Sequence, residues 1–234
     1  EVAPGGADHL LLRVHLPCWE GLRHVVGQTR RLFDLDAEPA ATVDLAADPV
    51  VGPLVEARPG LRVPGAWDGF EIGVRAILGQ QVTVAGARTL AGRLVERLGT
   101  PVPGLTDLGL SHAFPSPAAV AGADLDGLGL TGGRARALQA FAGAVRDGAV
   151  RLDGSVPLDE LVAQVVTLPG LGEWTAQYLA LRLGEADAFP AGDLGLRKAL
   201  ADGEVPSARQ VATTAEAWRP WRARAAVHLW ATVA

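Results

Sequence analysis

Most hydrophobic positions along this chain recur at the three- and four-residue spacing of amphipathic helices. In the first long pattern, Phe70, Val74, Ile77 and Leu78 fall on one face of a helix that we expect to end near residue 80. Asp68 stands just before this pattern, where an N-cap side chain belongs. Further helices are predicted over residues 83–98, 131–147, 158–167, 172–183, 194–201, 207–218 and 220–232.

The first 65 residues have a different pattern. Residues 9–16 and 41–45 are short, apolar and compatible with strands, and a helical pattern lies between them. Residues 58–65, rich in proline and glycine, predict a linker. The chain has no methionine and begins at Glu1 beside a strand-like pattern, so we expect it to be part of a longer polypeptide. The expected fold is therefore mainly α: a truncated small α+β domain over residues 1–65, followed by an all-helical unit.

The composition predicts a folded cytoplasmic protein. Hydrophobic residues make up 49% of the 234 positions, and no run approaches the roughly 18 apolar residues of a membrane helix. Cys18 is the only cysteine, which excludes an internal disulfide and a four-cysteine iron–sulfur cluster. The five histidines are scattered without metal-ligand spacing, so no zinc site is expected.

Residues 168–176 form the most informative local pattern. Gly170 and Gly172 stand in a tight turn, where we expect both to adopt backbone conformations that a β-carbon would disfavour. A helix follows, so backbone N–H groups point outward at its N-terminus and suit a phosphate. An ordinary turn between two helices is the alternative. The formal net charge of −5 argues against DNA binding by bulk electrostatics, but backbone amides can still hold phosphates.

A single carboxylate, Asp193, ends the turn-prone run of residues 189–193. The next basic residue is Arg197, so no adjacent cation neutralises this carboxylate. A carboxylate of this kind beside a phosphate-binding turn suggests chemistry on a nucleic acid. The alternative is an N-cap for the helix that starts at Leu194, and the two roles are compatible.

Three further blocks stand around this turn, over residues 67–82, 174–178 and 218–222. Together with residues 168–176 they resemble the helix-hairpin-helix DNA glycosylase superfamily, and within it the 3-methyladenine DNA glycosylase II family. The resemblance covers the chain from about residue 30 to residue 230. It implies a helical domain carrying the helix-hairpin-helix over residues 66–184. A C-terminal helical domain over residues 185–234 would then close the active-site cleft.

By this resemblance Asp193 is the catalytic carboxylate. Cleavage of an N-glycosidic bond builds positive charge on the sugar, which a nearby carboxylate stabilises. The implied base pocket consists of Trp174, Tyr178, Trp230 and Val84. Core packing is the alternative for the aromatic residues and stays open above all for Trp230, whereas Trp218 and Trp221 are expected to be structural.

The resemblance also assigns the contacts with DNA. The hairpin residues that it implies are Leu168, Pro169, Gly170, Leu171, Gly172 and Thr175. The backbone carbonyls of Val166, Leu168 and Leu171 are implied to hold one monovalent cation that bridges to DNA. Gln81 takes the place of the wedge that fills the gap left by a flipped base, where relatives carry an apolar side chain. Leu194 is a second departure, because an aromatic residue sometimes follows the catalytic aspartate.

Position 174 separates two mechanisms in this superfamily. Members that also cut the DNA strand carry a lysine there, which forms a Schiff base with the sugar. Here the residue is Trp174, and Lys198 is the only lysine of the chain. The sequence therefore predicts a monofunctional glycosylase that uses water and needs no cofactor for catalysis.

The predicted partner is double-stranded DNA with alkylated bases, bound by a monomer in a bacterial nucleoid without membrane contact. A cationic alkylated base is already a good leaving group, so one carboxylate suffices. Two alternatives stay open. The chain could be a non-catalytic module that binds DNA lesions, in which Asp193 only caps a helix. It could also be the glycosylase part of a larger alkylation-response regulator.

Overall fold

The N-terminal unit combines a small sheet with three helices. We describe the protein from a computed structural model, and the description covers residues 1–16 and 18–233. Strands β1 (Val2–Pro4) and β2 (Leu10–Leu12) pair antiparallel, with Val2 opposite Leu12. The helices that follow are α1 (Leu22–Leu32), α2 (Pro39–Ala46) and α3 (Gly52–Ala57).

The prediction of a strand over residues 41–45 is wrong, because these residues lie within α2. Pro39 occupies the first turn of this helix, where its missing N–H costs nothing. Ala41 and Leu45 then lie four residues apart on one face and are both buried. A short apolar run has no period that distinguishes a strand from a buried helix, so packing on one helical face decided the outcome.

The residues after the linker form the expected helical unit. Its helices are α4 (Gly69–Leu78), α5 (Val84–Leu98), α6 (Pro117–Ala121), α7 (Gly132–Arg146), α8 (Leu158–Val166), α9 (Glu173–Leu183), α10 (Leu194–Ala199), α11 (Ala208–Ala215) and α12 (Arg222–Val233). A two-stranded ribbon, β3 (Thr100–Pro101) with β4 (His112–Ala113), lies between α5 and α6. The prediction of a mainly α fold is confirmed.

Helix α4 lies at the centre of this unit and packs against α5, α7 and α9. The expected cap is confirmed at its start, where the Asp68 carboxylate accepts a hydrogen bond from the Glu71 N–H at 2.7 Å. Val74, Ile77 and Leu78 are completely buried. Through this apolar surface, α4 fixes the orientation of α9, the helix that begins at the predicted hairpin.

One hydrophobic core runs through all three segments that the sequence predicted as domains. Its buried members extend from Leu45 in the N-terminal unit to Leu229 in α12. Trp218 is 1% exposed, as expected of a structural residue. Trp221 donates a hydrogen bond from Nε1 to Asp44 Oδ2 at 2.8 Å and so ties the C-terminal segment to α2. The boundaries at residues 65 and 184 stay predictions. Among the residues described, every helix is too short or too polar to span a membrane.

Gly73 marks the close approach of α4 and α7. A β-carbon at this position would lie 2.3 Å from Cζ of Phe141, whose ring stacks on Phe70 with centroids 5.7 Å apart. Gly73→Ala is expected to lower the free energy of unfolding by about 1–3 kcal/mol, because a close-packed core cannot move the ring aside without strain.

Gly92→Ala in α5 is the matched control, since nothing lies within 4 Å of a β-carbon there. The higher helix propensity of alanine should raise the free energy of unfolding of this variant by about 0.5–1 kcal/mol. Urea denaturation measures both variants. Equal stabilisation of the two would contradict the close contact of α4 with α7.

Candidate active site

The hairpin between α8 and α9 has the geometry of a phosphate-binding turn. Gly170 adopts φ +78°, in the left-handed region that favours glycine. Leu171 is buried and donates its N–H to the Leu168 carbonyl at 3.2 Å, which closes the turn. No side chain among the described residues caps the start of α9. The first N–H groups of this helix are therefore free to meet an anion.

Two details of the hairpin differ from the expectation. Gly172 has φ −107° and ψ −179°, an extended conformation that any residue adopts, so only Gly170 needs to be glycine. Thr175 is 3% exposed, and its hydroxyl accepts a hydrogen bond from Gln80 Nε2 at 3.4 Å. The Thr175 side chain therefore faces inward, which leaves its backbone for any contact with a ligand. Pro169, by contrast, lies exposed at the tip.

The carbonyl groups implied to hold a cation meet one chemical requirement of such a site. The carbonyls of Val166 and Leu171 accept no hydrogen bond from the described backbone. The Leu168 carbonyl accepts one bond, from Leu171, and keeps a second lone pair. Backbone carbonyl oxygens are hard ligands that suit a monovalent cation, so these residues fit the implied group.

Asp193 lies at the start of α10, where three N–H groups converge on its carboxylate. Oδ1 accepts from the Leu196 backbone N–H at 3.0 Å and from Trp230 Nε1 at 2.8 Å. Oδ2 accepts from Trp174 Nε1 at 3.1 Å. Because all three partners donate to its oxygens, they hold the carboxylate in one orientation. The N-cap role is confirmed, and it coexists with contacts that a cap does not need.

The aromatic side chains around Asp193 form one cluster. Trp174 and Tyr178 stack with ring centroids 5.4 Å apart and an interplanar angle of 7°. Tyr178 meets Trp230 edge to face, with centroids 6.4 Å apart. All three are only partly buried. The sequence left Trp230 open between pocket and core, and the structure places its indole N–H on the carboxylate. We call Trp174, Tyr178, Asp193 and Trp230 the aspartate cluster.

Two other predicted site residues lie at the surface. Val84 is the first residue of α5 and is 72% exposed. Gln81 lies in the turn between α4 and α5, exposed and with φ +56°. A non-glycine residue in this region is strained, and such strain is common at functional positions. Their roles in a base pocket and as a wedge stay predictions.

The turn between α4 and α5 is connected to the hairpin by contacts that the sequence did not indicate. Gln80 Nε2 lies 3.3 Å from the Gly170 carbonyl, and the Arg134 guanidinium donates to the Gln80 carbonyl. Gln80 and Gly170 are 90 residues apart in the chain. A single glutamine or arginine has no local pattern that would reveal such a contact.

Burial shifts the pKa of two further titratable groups, the partly buried Glu185 and the buried His228 of α12. Burial raises the pKa of Glu185, in the turn after α9. Burial lowers the pKa of His228, and the nearby Arg224 and Arg58 cations lower it further. The lowered pKa favours the neutral form of His228 at pH 7.

Gly195 is a further site residue that the sequence did not indicate. A β-carbon there would lie 2.9 Å from Asp193 Oδ1 and 3.2 Å from Trp230 Cδ1. Since φ at Gly195 is not in the left-handed region, the need for glycine is purely one of space. Absence of a side chain lets the indole reach the carboxylate.

Comparison with known proteins identifies the family. The model of the HhH-GPD superfamily of base excision DNA repair proteins matches residues 74–223, more than half of the chain. The chain belongs to this superfamily. The AlkA N-terminal domain model matches residues 2–68. These matches confirm the resemblance on which the site predictions rest.

Individual relatives agree with this assignment. DNA-3-methyladenine glycosylase 2 of Escherichia coli is 38% identical over 98% of this chain and 79% of its own length. A Mycobacterium tuberculosis protein named "Probable bifunctional transcriptional activator/DNA repair enzyme AlkA" is 41% identical over 97% of this chain. The present chain spans 46% of the length of that relative, which is about half. A 3-methyladenine DNA glycosylase structure from Archaeoglobus fulgidus shares the fold, with a TM-score of 0.80, 23% identity, and coverage of 98% of this chain and 80% of that one.

Gly195→Ala is expected to break the bond between Trp230 and Asp193, because the new methyl group would occupy the path of the indole. Gly192→Ala, in the turn just before α10, is the matched control, since a β-carbon there would lie 3.9 Å from Trp174 Cβ, an ordinary contact. Near-ultraviolet circular dichroism, which reports the packing of tryptophan rings, should change for Gly195→Ala only. We expect this variant to lose about 1–3 kcal/mol of unfolding free energy. Identical spectra for both variants and the wild type would contradict the geometry.

Proposed function

We propose that this chain is a DNA glycosylase of base excision repair that removes alkylated bases from duplex DNA. The observation that carries the proposal is the Asp193 carboxylate, held by two indole N–H groups and a helix N-terminus inside an aromatic cluster. The names of the relatives, among them DNA-3-methyladenine glycosylase 2, support the same activity.

The carboxylate would act on the sugar rather than on the base. As the N-glycosidic bond breaks, the sugar develops an oxocarbenium-like positive charge. A fixed anion next to it lowers the barrier without having to reorganise. With three donors already fixing its oxygens, the Asp193 carboxylate is suited to stabilise positive charge on the sugar or to orient water.

A reaction without a proton donor needs a base that leaves easily. Alkylated purines such as 3-methyladenine carry a positive charge and become neutral when they leave. The rings of Trp174, Tyr178 and Trp230 would attract such a cation by about 0.5–2 kcal/mol and stack on it. The same cluster would therefore bind a cationic alkylated base more tightly than an uncharged, undamaged base.

The hairpin would hold the DNA backbone. The uncapped N–H groups at the start of α9 would bind a phosphate. The carbonyls of Val166, Leu168 and Leu171 would hold a monovalent cation, which would supply positive charge beside the DNA backbone. The exposed Gln81 would enter the gap left by the flipped base. With a net charge of −5, the protein would make few nonspecific phosphate contacts, and we propose that it binds as a monomer.

We further propose that the enzyme is monofunctional. Trp174 occupies the position of the nucleophilic lysine in strand-cutting members, and its indole donates to Asp193. Lys198, the only lysine, is exposed on α10 beyond Asp193. Water is then the nucleophile that completes the hydrolysis of the N-glycosidic bond.

Asp193→Asn tests the catalytic assignment. The substitution keeps the N-cap but removes the negative charge, so base release from alkylated duplex DNA should fall at least about 100-fold. Asp202→Asn, a change at an exposed carboxylate in the loop after α10, is the control and should release bases at the wild-type rate. The measurement is chromatography of released bases in single-turnover reactions. Full activity of Asp193→Asn would refute the proposal, and lesion-selective binding by an inactive wild type would favour a lesion-binding module instead.

Borohydride reduction tests the mechanism. A Schiff base between enzyme and DNA would become a stable covalent complex, visible as a shifted band on a denaturing gel. We expect no such band from the wild type, and we expect Lys198→Gln to release bases normally. A trapped complex that disappears in Lys198→Gln would show that the enzyme uses the lysine as nucleophile.

A further inference from the structure

Arg182 continues the aromatic face of α9. It follows Tyr178 by four residues, and Tyr178 follows Trp174 by four, so the three side chains lie along one side of the helix. Arg182 Nη1 donates a hydrogen bond to the Tyr178 hydroxyl at 2.9 Å. The guanidinium carbon lies 5.8 Å from the Tyr178 ring centroid. Arg182 is therefore in direct contact with the aspartate cluster, on the side away from the carboxylate.

The direction of this hydrogen bond determines what Tyr178 can do. Arginine has donors and no acceptor, so the Tyr178 oxygen must accept. The hydroxyl proton of Tyr178 is then available for another partner, and no described side chain or carbonyl takes it. The indole N–H groups of Trp174 and Trp230 are already used by Asp193. Among the described side chains of the aspartate cluster, the Tyr178 hydroxyl is therefore the one donor left for a ligand.

Arg182 is itself held by the linker that enters the helical unit. Nε donates to the Pro64 carbonyl at 2.7 Å, and Nη2 donates to the Gly65 carbonyl at 3.0 Å. The Ala66 N–H donates to the Arg182 carbonyl at 2.8 Å. All three donor-bearing nitrogens of the guanidinium thus have partners, which fixes the group in one position.

The linker is in turn packed tightly on the N-terminal unit. The Gly65 N–H donates to the Leu32 carbonyl at 3.1 Å. A β-carbon at Gly65 would lie 2.2 Å from the Arg31 carbonyl oxygen, so the chain passes too close to α1 for any side chain. A continuous series of contacts leads from α1 through Gly65 and Arg182 to the Tyr178 hydroxyl.

We propose that Arg182 is a positioning residue that turns the Tyr178 hydroxyl into the hydrogen-bond donor of the base pocket. The inference rests on the proposed glycosylase function. The ligand that this donor selects is a flipped purine with an acceptor atom, a ring nitrogen or an exocyclic oxygen, at the edge that meets Tyr178. Stacking on the indoles does not depend on an acceptor atom of the base. The hydroxyl therefore favours damaged bases that have such an atom over those that lack it. The linker of the N-terminal unit thereby contributes to base selection without touching the base.

A double-mutant cycle tests this role. Tyr178→Phe removes the donor, and Arg182→Met removes the group that orients it. Each should slow single-turnover base release about tenfold, the loss expected for one hydrogen bond to the base. In the double variant Arg182→Met should cause no further loss, because there is no hydroxyl left to orient. Affinity for duplex DNA with an abasic site, which has no base to recognise, should stay at the wild-type value for all three variants.

Arg93→Met is the matched control. Arg93 also donates from a helix, α5, to a loop carbonyl, that of Leu128 at 3.2 Å, but it lies outside the aspartate cluster. Its base release should equal that of the wild type. Arg182→Lys keeps the charge and one donor-bearing nitrogen in place of three, so it should recover part of the lost rate. It replaces Arg182→Met if that variant does not fold.

The outcomes separate this inference from the proposed function. No base release by the wild type would overturn both. Base release that depends on Asp193, together with an Arg182→Met rate equal to that of Arg93→Met, would overturn the role of Arg182 alone. So would an equal loss from Arg182→Met with and without Tyr178→Phe, or a matching loss of affinity for abasic DNA, since either would indicate a general structural effect.

Discussion

The whole site depends on keeping one ionised carboxylate partly buried among aromatic rings. A charge in such surroundings is costly unless donors replace the water that it loses. Asp193 obtains these donors from three helices: the backbone of α10, Trp174 of α9 and Trp230 of α12. The packing of these helices is therefore tied to the electrostatics of a single side chain. The glycine at position 195 follows from the same constraint, because only a missing side chain leaves room for the indole.

Helix α9 combines two tasks in one rigid element. Its first turn presents uncapped N–H groups beside Gly170, and Trp174 in that same turn reaches the carboxylate. A DNA phosphate bound at the start of the helix would thus lie within a few ångströms of the residue that holds Asp193. Since α9 packs on the buried helix α4, neither task needs a separate positioning device. The proposed phosphate-binding turn and a direct partner of the proposed catalytic residue thus lie in the same helix.

The N-terminal unit contributes more than an attached domain would. It shares the hydrophobic core, and its Asp44 accepts a hydrogen bond from Trp221. The carbonyls of Pro64 and Gly65 hold the guanidinium of Arg182 in place. The end of the linker predicted over residues 58–65 is packed against α1 at Gly65. Gly65 is needed there because the chain passes close to the backbone of α1, so this glycine indicates tight packing.

The sequence by itself determined the features that depend on neighbouring residues. Most helix positions after the linker, the Asp68 cap and the turn at Gly170 follow from patterns that span fewer than about 20 residues. The family, and with it the expected role of Asp193, follows from several such short blocks in their order along the chain. The sequence could not determine whether residues 41–45 form a strand, because so short an apolar run fits either structure. Only the tertiary structure decided that Trp230 meets Asp193 and that Arg182 meets Pro64. Those partners are 37 and 118 residues apart, and only the packing of the helices around one core brings them into contact.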